Sequence, residues 1–231
     1  AIEGQTLGAK LAAETLDITL PGKHPHLGRK HIITQTTEEI IDIFLGMGYV
    51  VVEGPEVELA YYNFDALNTP ETHPSRSYSD TFYIEAGEIS HPSPQEVLLR
   101  TQTSPVQNRE MEKRKPPLFV IAPGRVYRPD APDATHTPMF HQIEGFAVDK
   151  GITFGDLKGT LETFTHTFFG PERGVKFLPH FFPFTEPSAE VMVDCGFCHG
   201  KGCPACGGEG WLEILGCGMV DPNLFEEVGY D

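Results

Sequence analysis

The chain is short of positive charge. Seventeen Lys and Arg stand against 33 Asp and Glu among 231 residues, a formal net charge of −16. Such a surface is a poor general binder of nucleic acid, because neutralising phosphates takes lysine and arginine. An RNA partner would be held by a local basic patch or by another subunit. Long apolar runs are also missing: no stretch of about 18 apolar residues occurs, so no membrane-spanning helix is expected. The opening residues, AIEGQTLGAKLAAETLDITLPG, lack the charged-then-apolar layout of a signal peptide. They also lack an initiating methionine, which reads as a trimmed chain. Cysteine is scarce, and four of the five residues crowd between Cys195 and Cys206, with Cys217 apart. That clustering argues for a metal site in a reducing compartment, the cytoplasm, rather than for a disulfide framework.

What remains is an ordinary soluble composition, 39% hydrophobic and 22% charged, in a chain long enough for a sizeable core. Residues 1–28 read as a lead-in with a short helix over 8–15, broken at Pro21-Gly22. Residues 29–231 read as one domain. Apolar spacing predicts helices over 29–47, 56–66, 104–115 and 152–169, the last with Leu157, Leu161, Phe164 and Phe168 on one stripe and Thr153–Asp156 as a capping box. Strands are expected at 49–53, 81–85, 97–101, 118–128, 139–149, 175–184, 188–194 and 210–216, with an exposed loop over 68–80. Neighbouring strands with short connections and flanking helices make the fold class α+β, an antiparallel sheet flanked by helices.

The stretch RVYRPDAPDATHTPMFHQIE (125–144) is more polar than a packed hairpin requires. Strand alternation puts Phe140, Gln142 and Glu144 on one face and Met139, His141, Ile143 and Gly145 on the other. The row is either a solvated sheet face carrying one aromatic ring or a pocket floor, where Phe140 stacks a planar base and the two polar groups hold an ammonium. Arg128, at the end of the facing strand, suits phosphate. Arg125, three residues earlier, falls on the opposite face. His136 in the loop is within reach of a phosphate chain, or simply solvated. Gln102 and Ser104 share a face at the end of another strand. Phe182 and Phe184 share a face of a third, either as core or as the grip on an aromatic ligand.

Residues 195–210, CGFCHGKGCPACGGEG, contain CxxCxGxG twice. The spacing lets Cys195, Cys198, Cys203 and Cys206 meet one ion as a closed tetrahedral Zn²⁺ site, structural rather than catalytic, with glycines permitting the tight turns. His199 is a spare ligand, and Cys217 reads as a small residue packed beside the pocket. A zinc-dependent chaperone module would account for this segment and for nothing else.

RTQTSP (100–105), PGRVYRPDAPDATHTPMFHQIEG (123–145), FFPFTEPSAEV (181–191) and GWLEILGCGMVDPN (210–223) resemble, in order, the catalytic core of the α subunit of bacterial phenylalanyl-tRNA synthetases, which are class II aminoacyl-tRNA synthetases. GYVVVEGPEVE (48–58) resembles that family's first class II signature, with Pro55 as its proline, and the hairpin resembles the second, with Arg128 as its arginine. The resemblance implies ATP-dependent activation of phenylalanine and its transfer to tRNA(Phe), with Mg²⁺ as cofactor. It implies that Arg128 holds the ATP α-phosphate and stabilises the transition state, that His136 contacts phosphates, that Phe140 stacks on adenine and that Asp130 lies near the adenine amino group. It implies Ser104, Gln142 and Glu144 at the substrate ammonium, Gln102 beside them, Phe182 and Phe184 around the phenyl ring, and Glu213 as a Mg²⁺ ligand. Implied partners are a β subunit, in an α₂β₂ assembly, and tRNA(Phe). The family's third signature is expected beyond Asp231 and an N-terminal arm before residue 1, so the isolated chain reads as an inactive fragment. The alternative is a non-catalytic synthetase-like module that binds tRNA or a partner subunit.

Overall fold

The computed structural model describes residues 2–13, 19, 22, 28–84, 96–133 and 136–230. It divides into two compact units, residues 1–31 and 32–231. The first contains α1 (Ile2–Ala13), which starts earlier than the helix expected over 8–15; positions 14 and 15 and most of 16–27 lie outside the described residues.

The second unit opens with α2 (Ile32–Gly46), whose Ile40, Ile43 and Phe44 turn inward. Gly48 follows at φ +90°, a conformation glycine adopts without steric cost. Of the strand expected over 49–53 only β1 (Val50–Val51) forms. It pairs in parallel with β4 (Leu118–Tyr127), Val50 opposite Val120. Strand β4 runs antiparallel to β5 (Met139–Val148) without a register break, from Leu118↔Val148 to Tyr127↔Met139.

The helix expected over 56–66 is a mixture. Val57–Leu59 form β2, antiparallel to β3 (Val97–Leu99), and only Ala60–Asn63 continue as α3, followed by a 3-10 turn at Asp65–Leu67. Tertiary partners override the local pattern. The carboxylate of Glu58, 2% exposed, accepts both arms of Arg109 at 2.8 and 2.5 Å, while Val57 and Leu59 pair with β3. Arg109 belongs to α4 (Pro105–Lys113), which opens on a proline at N1. The strand expected at 81–85 reduces to one bridge, Tyr83↔Leu98, among its described residues. The 68–80 loop is partly folded in: a 3-10 turn at Pro74–Arg76 buries Arg76 against Asp65 at 2.7 Å.

Helix α5 (Phe154–Phe169) carries the capping box, with Thr153 and Asp156 each accepting from the other's backbone N–H. A second antiparallel sheet, β6 (Val175–Phe182), β7 (Thr185–Asp194) and β8 (Trp211–Val220), follows in the order β6-β7-β8. Strands β7 and β8 extend beyond the spans expected. Helix α6 (Pro222–Glu227), unforeseen, has a plain start signal: Asp221 accepts from Asn223 N at 2.9 Å and Pro222 sits at N1.

Two apolar layers lie on opposite faces of β4–β5. Phe44, Ile121 and Phe164 form one, with Ile143 and Leu215, beneath α2 and α5. Leu118, Val120, Phe146, Met111 and Leu224 form the other, with Phe184 and Val220 packed against them. Toward the Arg128 end, this second face gives way to polar groups.

Candidate active site and metal centre

In an antiparallel pair, directly opposed residues share a face. Gly124 opposes Gln142, Ala122 opposes Glu144 and Val126 opposes Phe140, so the polar row continues the face that carries Phe146. The start of α4 lies over it. Ser104 Oγ and Gln107 Nε2 both donate short hydrogen bonds to the Glu144 carboxylate. Burial raises that carboxyl to about 7, against the pull of the Ser104 and Gln107 hydrogen bonds. Among the described residues no lysine, arginine or histidine lies in ion-pair range of it. A carboxylate gripped by two neutral donors and facing no cation is a ready receptor for an ammonium group. Next to it along the strand face, Gln142 Oε1 is buried without a partner.

Arg128 lies with its guanidinium carbon 5.2 Å from the centroid of the Phe140 ring. Its Nε donates to Thr101 O at 3.2 Å, and among the described residues its Nη atoms donate to nothing. Thr101 is fixed in turn by Asn63, fully buried, whose Oδ1 accepts from Thr101 N at 3.1 Å and whose Nδ2 donates to Thr101 Oγ1 at 3.0 Å. Gln102 turns toward the same asparagine, its Nε2 donating to Asn63 O at 3.4 Å.

Phe182 and Phe184 stack, their centroids 6.2 Å apart and their planes at 28°. Phe182 lies on Gly216, where a Cβ would collide with its ring, and Phe184 joins the layer containing Phe146. Thus Arg128 and Phe140 form one pair, Ser104, Gln107 and Glu144 a second group, and Phe182 and Phe184 a third, with Phe184 packed on the apolar layer that includes Phe146. Asp130 lies in the exposed loop, near enough to Arg128 for its charge to favour the guanidinium, while His136 bonds to Asp133 at 3.0 Å. Glu213 is exposed on β8 opposite Met192. Arg125 lies on the other face, bridged to Glu56 at 2.8 Å.

Three residues here carry no sequence signal of their own. Gln107 sits in the first turn of α4. Asn63 is locked to Thr101. Arg100, 3% exposed, donates to Arg125 O at 2.8 Å and Gly54 O at 3.1 Å. It ties the GPE turn to β4 and occupies the space where any Cβ at Gly124 would stand.

The four clustered cysteines converge. Their Sγ atoms lie within 4.8 Å of one another, with separations of 3.8 Å for Cys195–Cys203, 3.8 Å for Cys198–Cys206 and 3.7 Å for Cys203–Cys206. A tetrahedron with metal–sulfur bonds of about 2.3 Å has edges of about 3.8 Å, so the sulfurs fit one ion. Gly202 N and Gly210 N donate to Cys198 and Cys206 at 3.2 Å each. The two CxxCxGxG units pack back to back: a Cβ at Gly202 would strike Gly208 O, and one at Gly210 would strike Gly200 O. His199 bonds to Arg173 at 3.3 Å. Cys217 is half-buried opposite Ala189, its thiol pushed up to about 11 by burial.

The family model for the tRNA synthetases class II core domain (F) matches residues 15–231. The phenylalanine–tRNA ligase alpha subunit of Alkaliphilus metalliredigens is 57% identical over 231 residues, covering 100% of this chain and 66% of that protein. That of Caldanaerobacter subterraneus subsp. tengcongensis is 60% identical over 222 residues, 96% of this chain and 63% of that one. The chain therefore spans a little under two thirds of the curated relatives it matches. Among solved structures, the pyrrolysyl-tRNA synthetase of Desulfitobacterium hafniense aligns with a TM-score of 0.59 at 14% identity, over 98% of this chain and 69% of that one, a likeness of fold.

Proposed function

Given that this chain belongs to the class II tRNA synthetase core domains of the F type, we propose that it is the catalytic core of a phenylalanine–tRNA ligase α subunit. It activates phenylalanine with ATP and passes the phenylalanyl group to tRNA(Phe). The observation that carries this reading is the Glu144 carboxylate, clamped by Ser104 and Gln107 and lacking a cation, on the face that leads to the stacked Phe182–Phe184 pair. An amino acid whose ammonium meets Glu144 and whose ring enters the aromatic slot satisfies both groups at once. Gln142, with its buried free oxygen, adds a second acceptor for the ammonium.

Arg128 then faces the α-phosphate with its free Nη atoms while its Nε stays on Thr101. Its charge is in place before reaction, which is where positioning and electrostatic preorganisation act. Phe140, under the guanidinium, offers adenine a stacking surface; Asp130 and His136 approach the nucleotide from the loop. Mg²⁺ takes most of its ligands from phosphates and water, and Glu213 offers one oxygen. An apolar slot rejects a tyrosine hydroxyl by roughly 100-fold only.

The four thiolates hold Zn²⁺, which closes the β7–β8 loop and takes no part in the chemistry; four reduced thiols suit the cytoplasm. Partners are a β subunit, tRNA(Phe), and a second α chain against the apolar surface of α2 and β1, where Ile32, Leu45, Val50 and Val51 are exposed. The test is phenylalanine-dependent ATP–pyrophosphate exchange by the full-length α chain with its β subunit. Exchange should disappear on Arg128→Ala, and phenylalanine at about 100 times its Kd should stabilise the fold by about 2.7 kcal/mol, tyrosine far less. Exchange driven equally by other amino acids would overturn the assignment.

A further inference from the structure

Phe182 precedes a two-residue turn and Phe184 lies in it. Phe182 pairs with Thr185, so Pro183 and Phe184 alone connect β6 to β7. Two-residue hairpin loops favour primed turns, whose positive φ angles match the twist of the strands. Neither Pro183 nor Phe184 has a positive φ, and proline confines φ near −65°. The strands by themselves do not favour this turn, and it is held from outside. Pro183 O accepts from Asn68 Nδ2 at 2.7 Å, and Phe184 O accepts from Asp221 N at 3.0 Å.

Both anchors lead back to one place. Asn68 Oδ1 accepts from Asn223 Nδ2 at 3.3 Å, so each end of the Asn68 carboxamide is used and its orientation is set. Asn223 sits in the first turn of α6, where Asp221 caps its N–H. Asn68 itself is in the left-handed region, at φ 53° and ψ 24°, which asparagine tolerates better than most residues. The Phe182 ring lies on Gly216 and Phe184 packs on the layer containing Phe146, so the turn joining the two residues sets how the rings stand to each other.

We propose that Asn68 is a positioning residue for the aromatic slot: by holding the Pro183 carbonyl it fixes the spacing and tilt of Phe182 and Phe184, and so sets selectivity for the phenyl ring. The proposal rests on the phenylalanine-activation reading. Arg128 follows β4, Ser104 is the N-cap of α4, Gln107 lies in α4 and Glu144 in β5; none belongs to this turn, so their contacts with phosphate and ammonium should survive its loss. A purely structural role would lower the fraction of active enzyme and leave both Michaelis constants in place.

The experiment compares Asn68→Ala, Asn68→Gly and Asn223→Ala in the complete ligase by ATP–pyrophosphate exchange with phenylalanine and tyrosine. Glycine accepts the left-handed backbone, so Asn68→Gly removes the carboxamide without strain and serves if Asn68→Ala folds poorly. Losing one hydrogen bond of ordinary strength corresponds to a rise in KM for phenylalanine of about 10-fold in both Asn68 variants, with KM for ATP changed less than about twofold and a narrower phenylalanine-to-tyrosine ratio of kcat/KM. Asn223→Ala should give a smaller shift in the same direction. Variants with normal KM for phenylalanine and normal selectivity overturn the role of Asn68 alone. A wild-type enzyme without phenylalanine-dependent exchange overturns the underlying functional reading and this one with it.

Discussion

Glu144 shows how one side chain trades stability for binding. Burial pushes its carboxyl up to about 7 from the ordinary value of 4.5. The folded state therefore takes up a proton that the unfolded chain has lost. The stability this brings is complete below the unfolded value and is lost as pH rises through about 7. Glu144→Gln, which never ionises, should melt higher than the wild type at about pH 8 and nearly level with it at about pH 4, where the wild-type side chain is protonated in both the folded and the unfolded state. The same variant should lose phenylalanine binding. In the wild type, an incoming ammonium favours the carboxylate, so phenylalanine affinity should weaken as pH falls through about 7, with proton release on binding visible by calorimetry in buffers of different ionisation enthalpy. Gly124→Ala tests another close approach: the added methyl must displace Arg100, and overpacking of this kind costs typically 1–3 kcal/mol, read from denaturant midpoints. Alternation alone placed Phe140, Gln142 and Glu144 on one face, because strand geometry leaves no choice once the register is known. Gln107, Arg100, Asn63 and Asn68 were not legible. Each is a single polar letter whose meaning comes from a partner far along the chain, and no period points to it.

At the level of elements, long periodic segments were legible and short ones were not. The β4–β5 hairpin and α5 stand within two residues of their expected bounds, because ten or more residues of consistent pattern outweigh local noise. The stretch 56–66 misled because its apolar residues fit a helix while Glu58 is drawn to Arg109 and its neighbours to β3. Helix α6 was overlooked although Asp-Pro-Asn is a start signal, since six residues offer no period. The capping box of α5 makes a direct test: Thr153→Ala or Asp156→Ala should each cost about 1 kcal/mol, and the pair less than the sum, because the two bonds are reciprocal. In the cysteine loop, Gly210→Ala places a methyl against Gly200 O at φ +77°. The two halves cannot then close on each other. Bound zinc, measured by atomic absorption with a thiol titration beside it, should fall well below one per chain in that variant, as it should in Cys198→Ser.

For the whole molecule, the apolar residues grouped at α2 and β1 are the surface that the proposed function assigns to a second α chain. Ile32 is 66% exposed and Leu45 48%, with Val50 and Val51 also exposed. Nearby, Arg125 and His141, on the face of β4–β5 away from Glu144, line a cleft of about 490 Å³ together with Thr37 and Ile41 of α2. Leu45→Glu should weaken association between α chains, read by sedimentation, while the fold melts normally. On the proposed reading, a formal charge of −16 gives tRNA little electrostatic hold on these residues, so the salt dependence of tRNA binding by the ligase should barely change when exposed lysines such as Lys150 are neutralised.

The pairing of β1 with β4 has a consequence for how the chain reaches its shape. Parallel neighbours cannot be joined by a tight hairpin, and Val50 meets Val120 only after everything between them has been laid down. The β4–β5 and β7–β8 ladders link nearby residues and close small loops, so they should assemble early, whereas β1, two residues long, docks against a finished edge. During refolding its amides should gain protection from deuterium exchange last, and in the native state they should open first, well before the hairpin beside them.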